Sequence, residues 1–256
     1  PPAPSAENSV PLPGSHIMGI VDAQRFDRCH DLAVEDPARA ITEANFWVVQ
    51  GGDFLARQCL GFALAKQAHF GEAANAFAEA AVSAQAAHDW RSGNLWAQAG
   101  NAALANGDAA SARAHFSAAL ASGHLEGRAL GQVQIDRARA ALALSDWSAA
   151  RADLDSAAQN TPQDPLLWLL SATLARRQAD LVRAQADIQV AATLAAQDAA
   201  ITLEAGNIAA AAGNLSAARQ SWQSAVALGG TTAQGGTARA RLAELAAFEA
   251  EAADPT

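Results

Sequence analysis

The stretch Trp96-Ala97-Gln98-Ala99-Gly100, continuing through Ala103, Gly107-Asp108, Ala112, Phe116 and Ala119, decides how this chain folds. Gly100 is followed twelve residues on by Ala112, four further by an apolar anchor, Phe116, and three further by Ala119. The same four marks recur as Gly61/Ala73/Phe77/Ala80, Ala138/Ala150/Leu154/Ala157, Ala172/Ala184/Ile188/Ala191 and Gly206/Ala218/Trp222/Ala225. By subtraction of residue numbers, successive first members lie 39, 38, 34 and 34 apart. A small-residue and alanine pattern at that period is the mark of stacked helical hairpins, each too small to bury its apolar face alone.

Composition agrees. Alanine exceeds a quarter of the 256 residues and β-branched residues are sparse. Alanine loses no side-chain entropy in a helix, so the chain is predicted to be helical nearly throughout. The formal net charge is −9 and Lys66 is the only lysine, so no basic face is available for nucleic acid or for anionic lipid. No run reaches the ~18 apolar residues that a membrane span needs, so no membrane insertion is expected.

The period divides the chain into six hairpins. A shortened one opens the array, with helices over 21–33 and 37–50; Asp36-Pro37 starts the second and Gly51-Gly52 ends it. Five fuller hairpins cover about 53–88, 94–123, 131–159, a stretch opening at Pro165, and 199–228, with turns at 68–71, 106–108, 145–147, 179–181 and 213–215. Residues 229–236 read as a flexible loop, and a helix over 237–251 as the cap that keeps the last apolar face from water. Residues 1–19 are expected to be a disordered Pro-rich segment or tag remnant, 20–251 the repeat domain, and 252–256 a frayed tail.

The residues quoted above resemble the tetratricopeptide repeat family, as do Trp168, Ala175 and Leu181 in the fifth hairpin and Ala209, Gly213 and Leu215 in the sixth. Pro162 stands where that family commonly closes a repeat, and the resemblance covers about 53–230. It implies an all-α, right-handed superhelical solenoid of antiparallel hairpins, closed by a C-terminal capping helix. Two departures stand out: Gln134 and Arg137 replace apolar residues, which implies a rotated or partly open helix or a snorkelling Arg137.

Catalytic signatures are absent: there is no G-x-S-x-G, H-E-x-x-H or G-x-x-x-x-G-K, and no two of the six histidines lie four residues apart. No metal, cofactor or catalytic residue is therefore expected. Trp96, Trp147, Trp168 and Trp222 read as core residues, and Trp90 as a contact candidate if exposed.

In the resembled family the first helices line a concave groove that binds a partner peptide, and the residue after the small first-helix residue points into it. Here those residues are Phe62, Asn101, Arg139, Thr173 and Asn207. With neighbours on the same face, the groove set is Gln58, Asn94, Gln98, Asn101, Asp136, Arg139, Thr173, Arg176 and Asn207. Amides can pair with a peptide backbone, and Arg139 and Arg176 can grip a carboxylate. The resemblance thus implies a non-enzymatic scaffold binding a protein or peptide; the alternatives are a homo-oligomerising solenoid or a regulatory domain serving an enzyme. Cys29 and Cys59 fall on first helices of neighbouring hairpins, 30 residues apart, as a disulfide or as two buried thiols. A disulfide together with the Pro-rich start favours an exported, periplasm-like location; the alternative is cytoplasmic.

Overall fold

The computed structural model describes residues 20–253. The expectations for 1–19, and for the tail beyond 253, lie outside the described residues. Among the described residues there are 13 helices and no strand. Two compact units divide at Ala129/Leu130. The first holds α1 (Ile20–Glu35), α2 (Pro37–Val49), α3 (Asp53–Lys66), α4 (Phe70–Ala86), α5 (Ser92–Ala105) and α6 (Ala109–Ala121). The division falls within α7 (Gly127–Ala143), most of which belongs to the second unit. That unit continues with α8 (Trp147–Asn160), α9 (Pro165–Arg177), α10 (Leu181–Leu194), α11 (Ala199–Ala211), α12 (Leu215–Gly229) and α13 (Ala233–Ala253).

The five fuller hairpins turn the same way. One residue takes a left-handed conformation (Ala68, Gly107, Ser145, Ala179 or Gly213), and the next starts the second helix. In four of the five that next residue is Asp108, Asp146, Asp180 or Asn214, whose side-chain oxygen accepts a backbone N–H of the first helical turn. This satisfies one of the four amide groups that a helix start leaves unpaired. Asp36 caps α2 in the same way, with Pro37 in its first turn. The loop expected over 229–236 is shorter: α12 runs through Gly229 and α13 already begins at Ala233. Thr232 starts this helix, since its backbone carbonyl accepts the Gly236 N–H at 2.9 Å.

The recurring marks are packing marks. In α3 a Cβ added to Gly61 would lie 2.6 Å from the Phe77 ring of α4, and in α5 one added to Gly100 would lie 2.6 Å from Phe116 of α6. Gly206 meets the Trp222 indole as closely. Where the small residue is alanine, Ala138 or Ala172, the anchor sixteen residues on is an aliphatic one, Leu154 or Ile188, and all four are buried. Ring anchors thus sit over glycine and aliphatic anchors over alanine, which holds the volume of each hairpin core roughly constant.

The polar departures of the fourth hairpin neither open it nor snorkel. Arg137 on α7 donates Nε to Asp153 Oδ2 at 2.9 Å and Nη2 to Oδ1 at 2.5 Å, while Asn160 Nδ2 donates to Gln134 Oε1 at 3.1 Å. Asp153 is buried, so the guanidinium is its counter-ion inside the α7–α8 interface. One repeat later the same places hold Ser171 and Asp187, joined at 2.5 Å. Arg151 completes that pair by donating to Ser171 Oγ at 2.7 Å. Trp222 and Trp47 are core residues and Trp96 and Trp168 are half-buried, but Trp147 is exposed. It is the first residue of α8, directly after the Asp146 cap, and is not the core residue it was expected to be.

Candidate functional site

Two residues before each small first-helix residue, the chain carries Cys59, Gln98, Asp136, Leu170 and Glu204. In three of these hairpins that region touches the preceding first helix. Cys59 on α3 faces Cys29 on α1, both buried, with Cα atoms 6.1 Å apart, within the span a disulfide bridges. Gln58 on α3 donates Nε2 to Gln98 Oε1 on α5 at 3.1 Å. Arg176 on α9 grips Glu204 on α11 through Nε–Oε1 at 2.6 Å and Nη2–Oε2 at 3.3 Å.

In the first unit, Asn94, Gln98 and Asn101 share one face of α5, with both asparagines exposed. Phe62 packs its ring edge-on against Phe77 at 5.4 Å and His30 at 5.3 Å, so it closes the α1–α3–α4 aromatic cluster. Trp90 is exposed beside Arg91, whose guanidinium lies over the Phe54 ring at 4.8 Å.

In the second unit, several expected groove residues spend their polar groups internally. Asp136 is buried and accepts from Arg139 Nη1 at 3.0 Å; burial pushes its carboxyl above the usual range, and the hydrogen bonds from Arg139 and Gln132 oppose that. Thr173 donates its hydroxyl to the Leu169 carbonyl at 2.8 Å. The bidentate carboxylate grip expected of Arg176 is taken by the chain's own buried Glu204. Asn207 extends that set: its Nδ2 donates to Glu204 Oε2 at 2.9 Å and its Oδ1 accepts from Trp222 Nε1 at 3.2 Å.

That chain of bonds forms the floor of a cleft of about 540 Å³, walled by α13. Arg176, Asn207, Leu215 and Trp222 line it from α9, α11 and α12, and Arg241, Leu245 and Phe248 from α13. Leu245 is buried while Phe248 is 60% exposed. At the mouth Arg241 Nη1 and Glu244 Oε2 pair at 2.7 Å, an exposed contact that is easily exchanged. Chemically, the cleft offers an apolar slot beside amide and guanidinium donors already fixed by their neighbours. It holds no cluster with metal-ligating geometry, and none occurs among the described residues.

No protein-family profile matches the chain, and no curated protein sequence matches it. Solved structures do. It is similar to PilW, a widely conserved type IV pilus biogenesis factor, at a TM-score of 0.66 and 17% identity over 82% of this chain and 96% of that one. It is similar to YrrB, a TPR protein with an unusual peptide-binding site, at 0.57 and 16% identity over 78% and 97%. A chain of the APC/C hetero-tetramer Cut9-Hcn1 matches at 0.65 and 15% identity over 90% of this chain; the match spans 43% of that longer chain. The fold is that of the tetratricopeptide repeat proteins.

Within this tetratricopeptide-type array, two of the expected groove residues, Arg176 and Asn207, line the cleft, and none of the expected set lies on its α13 wall. Arg241, Leu245 and Phe248 recur at three- and four-residue spacing along α13, a helical stripe that was available in the sequence. No described helix is long and apolar enough to cross a membrane.

Proposed function

We propose that this protein is a non-enzymatic interaction scaffold that takes a segment of a partner protein along its first-helix faces. The cleft beneath α13 is the anchor point. The observation that carries this is the pairing of an exposed aromatic, Phe248, with a slot whose floor is already rigid through Arg176, Glu204, Asn207 and Trp222. A preorganised floor spares a ligand the cost of ordering those side chains, and an apolar anchor in a desolvated slot dominates such interfaces. The similarity to YrrB supports a peptide as the ligand type. In the first unit the amide face of Asn94, Gln98 and Asn101 offers backbone-pairing groups of the kind an extended segment requires.

The test is selection of peptides from a random phage-displayed library on the whole protein, followed by titration of the enriched peptides. The expected result is micromolar binding, weakened at least about ten-fold by Phe248→Asp with an unchanged helical spectrum. Absence of enrichment, or peptides indifferent to Phe248→Asp, refutes the cleft. Asn101→Ala reports separately on the amide face.

For the first unit we propose that Cys29 and Cys59 are joined as a disulfide, and that the protein works in an oxidising, periplasm-like compartment. The approach of the two residues and the burial of both support this.

A further inference from the structure

The first hairpin presents a trough of about 670 Å³ between α1 and α2, lined at its base by the buried residues Cys29 and Trp47. Its rim is apolar and open to water: Val21 is 75% exposed, Phe46 61% and the neighbouring Val49 85%. Trp47, whose ring lies beneath the Arg25 guanidinium at 4.9 Å, forms its floor. Arg25 is also held by Gln50 Oε1 at 2.9 Å, so that wall is fixed. Large exposed apolar side chains gathered on one short hairpin mark an interaction site, since scattered ones would be ordinary.

The charges on the trough choose the occupant. Arg28 on α1 and Glu43 on α2 both line it, yet they are not bonded to each other, and Arg28 makes no ion pair among the described residues. Glu43 is engaged only by Arg39, one helical turn away, in an exposed contact of 2.9 Å. Such an exposed pair on a helix is worth about 0.3–0.5 kcal/mol and is given up easily. A face that holds an apolar stripe with one unspent cation on one helix and one lightly held anion on the other complements itself. A two-fold axis through the trough would set Arg28 of each copy against Glu43 of its mate and bury Phe46 and Val49 of both. Isologous contacts require that self-complementarity.

We propose that this trough is the interface with a second copy of the chain, in an isologous dimer built on α1 and α2. Analytical ultracentrifugation of the whole protein, from about 1 to 100 µM, tests it. The expected result is a species of about 52 kDa, twice the 26.2 kDa chain, that dissociates on dilution. Phe46→Asp, or Val49→Lys should the first variant fail to fold, is expected to leave a monomer with unchanged helical signal. Arg28→Glu and Glu43→Arg are each expected to weaken the dimer about ten-fold or more, and the double variant to recover most of that loss. A monomer at every concentration overturns the proposal and leaves the trough to another occupant. A dimer indifferent to both apolar variants overturns it too, as does a charge swap that fails to rescue.

Discussion

The glycine-under-ring rule makes a sharp quantitative prediction at Gly100. Replacing it by alanine has two opposed effects. In the helix interior alanine is favoured over glycine by about 1 kcal/mol. The new Cβ, however, would lie 2.6 Å from the edge of the buried Phe116 ring, and inserting a methyl group into a filled core costs about 1–3 kcal/mol. The clash wins, and Gly100→Ala is expected to destabilise by about 1 kcal/mol. Phe116→Leu alone leaves part of the ring space empty and is expected to cost about 1–2 kcal/mol. Combined, the two changes recreate the Ala138/Leu154 pair that the fourth hairpin already uses. In the Phe116→Leu background the alanine methyl fills the vacated space, so Gly100→Ala should now stabilise by about 1 kcal/mol. The coupling across the double-mutant cycle is then about 2 kcal/mol. Urea unfolding of the four proteins followed by far-UV circular dichroism, compared at equal m, measures it. If Gly100→Ala costs the same in both backgrounds, the sixteen-residue pairing rule does not govern the hairpin core.

Two further outcomes follow from the same contacts. Burial raises the Asp136 carboxyl above its ordinary value of 3.8 despite Arg139, so the folded state holds that proton more tightly than the unfolded chain does. Stability contributed by the group is therefore present below pH 3.8 and lost as pH rises through the raised folded value. Asp136→Asn, which keeps an acceptor for Arg139, should raise the urea midpoint at about pH 7 and lose that advantage at low pH; an equal effect at both pH values would show that burial of the charge is not the cause. For the cysteines, a thiol count on protein handled without reductant should find none free, and Cys29→Ala/Cys59→Ala should cost about 3–4 kcal/mol, the loop-closure entropy of a separation of 30 residues. Two titratable thiols in the unreduced protein would remove both the bond and the argument for export.

Reading the sequence reached the fold because the marks that reveal it are the residues that make the contacts. Gly61, Gly100 and Gly206 recur because a ring from the next helix occupies the place of their Cβ, and no surface requirement disturbs that spacing. The polar positions were harder to read because each has two competing neighbours. Arg137 looked like an intruder in an apolar layer, while its partner Asp153 lay sixteen residues on, at the spacing that joins Ser171 to Asp187 one repeat later. Had the period been applied to polar residues as well as alanines, that pair was visible. Arg176 looked like a free guanidinium because its partner is on the next first helix, 28 residues away, beyond any spacing within one hairpin.

The ladder two residues before each small residue explains why a binding face of this kind cannot be read from its polar content alone. In three of the five hairpins that position lies where one first helix meets the one before it, and the chain fills it with a joining pair: two sulfurs between α1 and α3, two amides between α3 and α5, an ion pair between α9 and α11. A glutamate buried there needs a counter-ion, so Arg176 is committed to Glu204 before any ligand arrives. Once Glu204 has fixed Arg176, and Asn207 has linked Glu204 to the Trp222 indole, the floor beneath α13 has little rotamer freedom left to lose. The side chains that made the face look polar are therefore the ones that hold it still. On the proposed binding reading, discrimination between ligands would fall to exposed residues with no polar partner among the described residues, Phe248 in the second unit and Asn94 and Asn101 in the first.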